Sequence, residues 1–503
     1  MPLLADESTR ALVALEMLIS KNYIVPTING EFYYNKPPLY NWMLAGLYQF
    51  TGTINEWVVR IPTVVFTLLF GTIIFHFIKK YTNFRIAYIA VFAYITSGRV
   101  LFYDSFLGLI DTVFSALVFL NFMLIYHFDQ KKQYHYLFLI TYGITAVCYM
   151  LKGLPGPVFQ GITLLTFFVF YKRNFRLLFS FYHILGILLF VFLVSLYYLQ
   201  YLQYNSLETV VKTIVSESSK RTVMENSFLK SLIHITTFPF VTILHFLPWT
   251  IPFVLILKRT NFNKIKENDF TKYCLMMLAA NISVYWLSPE TVPRYLFMFL
   301  PLIFTVSYFL YFEEENKRFK IIFEKVIFGI MILFPLAFIA VPFISIIPEV
   351  PLKYPKLIVL IISLAGLIYY YYKTEKDKIV IFISALLLVR IGFDCFIIPS
   401  RLETEPQIAY RNYGIEIGKI TKDKPLYIYS YSSLDHDISF YIERERREIL
   451  KQYPKLIRPD TFYITEKFEK QLDKNKVEIY YEFYTSFKKT KLYLVKLKVK
   501  DES

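Results

Sequence analysis

The sequence predicts an all-α bundle of membrane-spanning helices followed by a small C-terminal α/β domain. Three observations support this fold: the composition, a series of long apolar runs, and a change of pattern near residue 398. Hydrophobic residues make up 55% of the 503 residues, aromatic residues 19%, and the mean hydropathy is +0.43. Charged residues make up 19%, whereas soluble domains typically have roughly 25%. The composition excludes a disordered chain, a coiled coil and collagen, and it argues against a single soluble core.

Apolar runs recur from residue 62 to residue 397, and each is long enough to cross the hydrocarbon core of a membrane as a helix. Open sheets are excluded in lipid because their edges would leave backbone groups without hydrogen bonds. The sequence predicts about twelve spans: 62–78, 86–103, 108–127, 136–151, 156–171, 178–200, 240–257, 273–288, 295–312, 321–345, 355–372 and 379–397.

The loops between these spans alternate in charge, and this alternation predicts their orientation. Every second loop is basic, and the six basic loops together hold 19 Lys and Arg against 8 Asp and Glu. The positive-inside rule places these loops in the cytoplasm. Residues 1–61, the long loop 201–239 and the tail 398–503 are then extracytoplasmic. We therefore expect a further spanning helix before residue 1, and we attribute most of the net charge of +16 to topology rather than to a nucleic-acid partner.

The tail shows short alternating segments in place of long apolar runs. Candidate strands lie at 424–431, 461–465, 477–484 and 491–498, with a candidate helix at 437–449. This pattern predicts a small α/β domain over 398–503. The three cysteines lie in apolar stretches at positions that form neither a disulfide framework nor a metal-binding motif.

Polar residues near the outer ends of the helices are the candidates for chemistry. Asp6 and Glu7 open an amphipathic helix, a pattern that is also typical of helix capping. Asn29-Gly30 is a turn signal, and Lys36 stands before a rigid Pro37-Pro38 pair within an aromatic stretch. Aromatic residues at this depth also serve as membrane anchors.

Further polar residues lie at the predicted mouths of later spans. Asp104 fits a helix cap, whereas Asp111 lies one turn inside its span, where a carboxylate is rarely idle. Basic residues at helix ends often only reach lipid headgroups. The basic and aromatic candidates are Lys152, Lys220, Arg221, Arg294 and Tyr295. His245 is predicted to be a hydrogen-bonded helix residue, and Arg390 and Asp394 an intrahelical pair.

Carboxylates and cations on one outer face suit group transfer from a lipid phosphate. Breaking a sugar–phosphate bond gives the leaving phosphate a second negative charge, so fixed Lys and Arg stabilise the transition state more than the ground state. A carboxylate near the acceptor acts as a general base. This chemistry needs no nucleotide.

The order of these motifs resembles the GT-C class of polyprenyl-phosphate-sugar glycosyltransferases. This class includes the protein O-mannosyltransferases and the bacterial aminoarabinose transferases of lipid A. The resemblance covers residues 6 to about 310 and is most specific over 6–62. It rests on Asp6-Glu7, Ala11, Ala14, Glu16-Met17-Leu18, Pro26, Asn29-Gly30, Tyr33, Lys36-Pro37-Pro38, Arg60-Ile61-Pro62, Asp111, Lys152-Gly153, Pro248-Trp249, Arg294-Tyr295 and Pro301.

The resemblance implies an inverting transfer from an undecaprenyl-phosphate sugar to a lipid, glycan or protein acceptor. It implies a site on the periplasmic face of the bacterial inner membrane and a helix before the Asp-Glu motif. Asp6 is then the acid/base candidate, while Lys36 and Asp111 line the donor-phosphate region. We expect Asp6 and Glu7 to be catalytic. We expect the donor phosphate and substrate to contact Arg10, Tyr33, Lys36, Asp111, Lys152, Arg221, Arg294 and Tyr295.

Three positions depart from the aminoarabinose branch. That branch has Arg and Tyr where this chain has Thr9 and Arg10. It has an acidic residue before the lysine, where this chain has Asn35. We therefore predict no metal, and no cofactor other than the lipid-linked sugar as co-substrate.

Two other classes remain open from the sequence. A transporter or flippase of a lipid-linked substrate is the main alternative, although such proteins usually show repeats and ionisable residues near the midplane. A receptor or scaffold would use residues 398–503 as its binding module.

Overall fold

The computed structural model describes residues 1–219, 228–289, 291–315, 317–429, 432–453, 460–468, 477–485 and 490–497. The chain forms two compact units. We call Met1–Ile61 together with Arg401–Ser503 the terminal unit, and Pro62–Ser400 the helical unit. The sequence predicts residues 1–61 and 398–503 as separate regions, whereas the structure joins the two ends of the chain in one folded unit.

The N-terminal segment contains two helices and a short hairpin: α1 (Glu7–Ser20), β1 (Thr27–Ile28), β2 (Glu31–Phe32) and α2 (Leu39–Thr51). The helices that follow are α3 (Glu56–Tyr81), α4 (Phe84–Ile95), α5 (Gly98–Phe102), α6 (Ile110–Gln130), α7 (Tyr134–Lys152), α8 (Pro155–Leu165), α9 (Phe181–Tyr201), α10 (Leu207–Ser219), α11 (Phe228–His245), α12 (Arg259–Glu267), α13 (Asp269–Asn281), α14 (Ser283–Trp286), α15 (Leu300–Glu313), α16 (Lys317–Ala340), α17 (Lys353–Lys373) and α18 (Lys378–Thr404). Short 3-10 helices cover Asp104–Phe106, Phe175–Phe179, Ile251–Leu257, Pro293–Phe299 and Val341–Phe343, and a π-helix covers Thr166–Tyr171. The C-terminal segment contains α19 (Gln407–Ile420), β3 (Leu426–Tyr429), α20 (His436–Arg446), β4 (Lys451–Tyr453), β5 (Phe462–Thr465), β6 (Val477–Tyr484) and β7 (Lys491–Leu497).

The predicted all-α membrane bundle is confirmed, with a different number of continuous helices. Within the described residues, eight helical segments are long and apolar enough to cross a membrane, where the sequence predicts about twelve spans. These eight are Glu56–Tyr81, Ile110–Gln130, Tyr134–Lys152, Phe181–Tyr201, Pro293–Glu313, Lys317–Phe343, Lys353–Lys373 and Lys378–Thr404.

Each of the other four predicted spans folds as two shorter helical segments. The run 86–103 is divided between α4 and α5, with a break at Thr96-Ser97. The other three fold as α8 with the π-helix, α11 with the 3-10 helix from Ile251, and α13 with α14. Apolar composition indicates that a segment can lie in lipid. It does not indicate where the helix breaks or where its hydrogen-bond pattern changes.

Burial differs sharply between the helices of the helical unit. Most side chains of α6 and α15 are buried, whereas α9 buries only Gly186, Tyr197 and Tyr201. The exposed apolar side chains of α9 include Leu188 and Phe192. Such a surface is costly in water and suits contact with lipid. The burial of α6 and α15 matters because Asp111 lies in the first turn of α6 and Arg294 lies in the 3-10 helix that leads into α15.

A two-residue hairpin is the main local feature of the N-terminal segment. β1 pairs antiparallel with β2, and the turn between them is Asn29-Gly30 with φ values of 52° and 74°. Positive φ at both central residues defines a type I′ turn, for which Asn-Gly is the preferred sequence. The turn predicted from the Asn-Gly pair is confirmed.

The C-terminal segment forms the predicted α/β structure. Its five-stranded sheet has the order β4-β3-β5-β7-β6, with β3 parallel to β4 and β5, and β7 antiparallel to β5 and β6. The core packs Ile428, Ile464 and Leu494 of the sheet against Ile438 of α20 and Ile417 of α19. Helix α19 was not among the sequence predictions.

Candidate active site

The Asp-Glu motif at the start of α1 points its two carboxylates into different environments. Asp6 is exposed and makes no side-chain capping hydrogen bond, although it stands at the N-cap. Glu7 is fully buried and forms a two-point ion pair with Arg60, at 2.9 Å from Nε to Oε1 and 3.0 Å from Nη2 to Oε2. Arg60 also donates to the Pro2 carbonyl. Of the two acids, Asp6 is therefore the one that solvent or a substrate can reach.

Arg10 lies one turn further along α1 and joins the predicted site to the hairpin. Its Nη2 donates to the Tyr33 hydroxyl at 2.6 Å, and its guanidinium carbon lies 5.3 Å from the centre of the Tyr33 ring. Arg10 is 6% exposed. Its Nη1 has no hydrogen-bond partner within the described residues. The structure thus brings together two of the predicted binding residues.

Lys36 follows the hairpin and precedes Pro37-Pro38, and α2 begins directly after this pair. The Lys36 side chain is partly exposed. Trp42, in the first turn of α2, donates its indole N–H to the Tyr23 carbonyl at 2.6 Å. This bond and the fixed φ of the prolines hold the backbone that carries Lys36.

Residues of the C-terminal segment also contact the first turn of α1, and sequence reasoning missed them. The Thr9 hydroxyl lies 2.9 Å from His436 Nδ1, at the start of α20. Asp437 forms a hydrogen bond with the Ser8 side chain. The sequence shows only a His-Asp pair at the start of a predicted helix. Nothing in that pattern identifies Thr9 and Ser8 as the partners of this pair.

A second cluster lies in the helical unit and consists of residues that the sequence singled out. Asp111 Oδ1 accepts a hydrogen bond from Lys152 Nζ at 2.6 Å, and Oδ2 accepts one from Arg294 Nε at 2.9 Å. Lys152 Nζ also lies 3.8 Å from the centre of the Tyr295 ring. The side chains of Lys152 and Asp111 are 4% and 10% exposed. Four predicted residues therefore form one group, in which Asp111 and Lys152 are buried and Arg294 and Tyr295 are partly buried.

The elements of the helical unit explain how this cluster forms. Asp111 lies in the first turn of α6 and Lys152 is the last residue of α7, so an antiparallel pair of helices presents both at the same end. Arg294 lies in the 3-10 helix that leads into α15. A carboxylate bridging two cations compensates for the cost of burying each charge. The three charges sum to one net positive charge, which favours an anionic ligand.

Other predicted residues have different roles in the structure. Asp104 is predicted to be a helix cap, but its carboxylate receives two hydrogen bonds from Arg99, at 2.9 and 3.1 Å, and forms an ion pair. The predicted pair of Arg390 and Asp394 is confirmed, with Nε–Oδ distances of 2.9 and 3.0 Å. Arg221 and Lys220 lie outside the described residues.

Metal-binding side chains are not clustered in the part of the chain that the structure describes. No group of three or more His, Cys, Asp or Glu residues there could hold a metal ion.

An apolar bundle with ionised side chains gathered at helix ends defines a multi-pass membrane protein. Two comparisons give the class. The sequence profile of the family described as dolichyl-phosphate-mannose-protein mannosyltransferase matches residues 35–198. The fold is similar to the crystal structure of ArnT from Cupriavidus metallidurans bound to undecaprenyl phosphate, with a TM-score of 0.70 and 14% identity over 98% of this chain and 94% of that chain. The apo structure of the same protein gives a TM-score of 0.68 at 13% identity, with the same coverage.

No curated protein matches the sequence significantly. The two matches confirm the resemblance read from the motifs, and the chain has the GT-C fold.

Proposed function

We propose that the protein is a membrane glycosyltransferase that moves a sugar from a polyprenyl phosphate to a lipid, glycan or protein acceptor. The observation that carries this proposal is the buried cluster of Asp111, Lys152 and Arg294 at the end of an apolar bundle. Its net positive charge suits the phosphate of a lipid-linked donor. The match to the mannosyltransferase profile and the likeness to ArnT bound to undecaprenyl phosphate support the same class.

The donor phosphate is the leaving group in this reaction. When the bond between the anomeric carbon and the phosphate oxygen breaks, that oxygen keeps the electron pair and the phosphate gains a negative charge. Lys152 and Arg294 are fixed by Asp111 before the reaction, so their charges need little reorganisation as the phosphate charge develops. The donor or the acceptor is proposed to contact Lys36, Tyr33 and Arg10.

The acceptor needs a base to take its proton as its oxygen or nitrogen attacks the anomeric carbon. Asp6 is the candidate because it is exposed and its carboxylate is not used for capping. Glu7 supports the same turn through its ion pair with Arg60. A single displacement with one base inverts the anomeric configuration.

The lipid chain of the donor needs an apolar surface. The helical unit contains an apolar pocket of about 260 Å³ lined by α11, α13, α14, α15 and the 3-10 helix from Ile251. Its walls include Phe238, Phe253 and Trp286. Such a pocket suits isoprene units, since it offers van der Waals contact without polar groups to desolvate.

Substitution of Asp6 tests the chemistry. Membranes containing the full-length protein are supplied with a radiolabelled polyprenyl-phosphate sugar, and covalent product is measured. Asp6→Asn should abolish transfer, whereas the exposed Glu31→Gln, which conserves size and removes one charge in the same segment, should not. Undiminished transfer by Asp6→Asn would reject the base assignment. Movement of the labelled lipid across vesicles without covalent product would instead support a transporter.

Substitution of Lys36 tests donor binding. Lys36→Ala should raise the KM for the lipid-linked donor, because an ammonium held by the Pro-Pro pair would be lost. Lys21→Ala removes an exposed lysine at the end of α1 and serves as the control. An unchanged donor KM in Lys36→Ala would remove this residue from the site.

A further inference from the structure

The start of α20 packs against the first turn of α1. His436 contacts Thr9 and Asp437 contacts Ser8. Further along α20, the Tyr441 hydroxyl accepts a hydrogen bond from the backbone N–H of Leu3, which precedes α1, and donates one at 2.9 Å to Glu56 at the start of α3. The backbone that carries Asp6 is therefore held from outside its own helix.

We infer that His436 and Asp437 are positioning residues for the transfer reaction, because they fix the turn of α1 that presents Asp6. The inference rests on the proposed function, in which Asp6 is the base. Neither residue belongs to the motifs that define the resemblance, and both come from a segment 430 residues away in the sequence. The C-terminal segment thereby becomes a part of the reaction site.

The groups that face these two residues determine how the contact responds to pH. His436 faces Asp6 and Arg10 of α1 and its own neighbour Asp435. Asp437 faces Glu7 and Ser8 of α1, and Tyr410 of α19 lies near the same acids. Most of these partners sit on α1, so a change of charge at the start of α20 acts directly on the turn that carries Asp6.

Burial sets the direction of both titrations. It lowers the pKa of His436, and the charge of Arg10 adds to this effect while Asp435 and Asp6 oppose it. Burial raises the pKa of Asp437 to about 6, although the hydrogen bond from Ser8 opposes this rise. At neutral pH His436 is then a neutral hydrogen-bond partner of Thr9. Protonation of His436 puts a cation near Arg10, which it repels, and near Asp6, which it attracts.

Variants of the full-length protein separate positioning from simple folding. His436→Ala should lower kcat by roughly tenfold to a hundredfold, the loss expected when a reacting group is misplaced by about 1 Å, with the donor KM unchanged. His436→Asn keeps a polar atom near the Nδ1 position but does not titrate. It should recover much of the kcat and shift the acidic limb of the pH profile to lower pH. Asp437→Asn should shift that limb in the same direction.

Controls distinguish failure of this inference from failure of the proposed function. Glu416→Gln, on the exposed surface of α19, should leave kcat and the pH profile unchanged. A wild-type kcat and pH profile in His436→Ala, with Asp6→Asn inactive, would overturn the positioning role alone. A loss of activity that only follows the loss of folded protein, with an unchanged pH profile, would also overturn it. Full activity in Asp6→Asn would overturn the proposed base and this inference together.

Discussion

Glu16 of α1 and Glu443 of α20 form a carboxyl–carboxyl contact in the interior of the terminal unit. Both residues are 0% exposed, and their side chains are in hydrogen-bonding contact. Two carboxylates cannot donate to each other, so this contact requires a proton. The surrounding donors show which residue carries it.

The hydrogen bonds around the pair are unequal. Glu16 accepts hydrogen bonds from the Thr27 hydroxyl and from the backbone N–H groups of Asn29 and Gly30. Glu443 accepts one from the Leu450 N–H at 2.9 Å, and its Oε2 has no donor within the described residues. Donors stabilise the ionised form of a carboxyl group. Glu16 is therefore the carboxylate, and Glu443 is the protonated partner that donates to it.

This assignment predicts a pH-dependent hairpin. Burial raises the pKa of Glu443 well above its usual value, and the charge of Glu16 raises it further. A group whose pKa is higher in the folded state stabilises the fold below its unfolded pKa, and this stability is lost as pH rises through the folded pKa. In Glu443→Gln the side-chain amide can donate a hydrogen bond at every pH. The hairpin of this variant should therefore not lose stability as the pH rises. Amide hydrogen exchange of residues 27–33, measured between about pH 5 and 9, gives the comparison.

Substitution of Glu16, the other member of the pair, should change the amide exchange of the hairpin in a different way. Glu16→Gln removes the charge that accepts three hydrogen bonds, and charge-assisted hydrogen bonds contribute roughly 1.5–3 kcal/mol each. Its hairpin should exchange faster at all pH values. If Glu443→Gln and the wild type show parallel pH dependence, the two carboxyls do not share a proton.

Asp111 is predicted to be necessary for the stability of the helical unit. Asp111→Asn leaves Lys152 and Arg294 buried without their carboxylate, and removing one member of a buried ion pair costs roughly 3–5 kcal/mol. Asp394→Asn is the control, because its ion pair with Arg390 is part-exposed and within one helix, where such pairs contribute roughly 0.3–0.5 kcal/mol. Thermal unfolding of the full-length protein in detergent should show a much larger decrease for Asp111→Asn.

A second substitution tests whether the loss comes from unpaired charge. Lys152→Met in the Asp111→Asn background removes one stranded cation, and the double variant should be more stable than the sum of the two single effects predicts. Strict additivity would show that the ion pair does not account for the loss.

Much of this cluster could be predicted from the sequence. Asp111 and Arg294 lie at the starts of their predicted spans, and Lys152 lies at the end of its span. The alternating loop charge places these three ends on the same face of the membrane. Helices of matched length then brought these three residues together. Their pairing through the single carboxylate was not predicted, because the rotation of each helix depends on packing that the apolar pattern does not report.

The contacts within the terminal unit could not be predicted from the sequence. Glu7 pairs with Arg60, which is 53 residues away, and Thr9 pairs with His436, which is 427 residues away. Acidic and hydroxyl side chains are common at helix starts for local reasons such as capping, so their presence there does not indicate a distant partner. Only the folded chain shows that Glu7 is buried against its partner while Asp6 is exposed.

The orientation of the bundle remains a prediction that cysteine labelling can test. Cys148, Cys274 and Cys395 are first replaced, and single cysteines are introduced as Glu31→Cys and Lys132→Cys, both at exposed positions. A membrane-impermeant maleimide should label Glu31→Cys in cells with a permeable outer membrane. It should label Lys132→Cys only after the inner membrane is broken, because Lys132 lies in a basic loop. The reverse pattern would show the opposite orientation.

Gly30 is predicted to tolerate no side chain, for reasons of both conformation and space. Its φ of 74° costs an L-residue roughly 1–2 kcal/mol. A Cβ at this position would lie 3.0 Å from Cγ of Lys451, the first residue of strand β4 in the same unit. Gly30→Ala should therefore lower the melting temperature and speed amide exchange in the hairpin. Gly46→Ala is the matched control, because Gly46 lies inside α2 with no atom within 4 Å of the added Cβ, and alanine there should be stabilising by roughly 0.5–1 kcal/mol. If both variants stabilise the protein, the turn does not have the type I′ conformation.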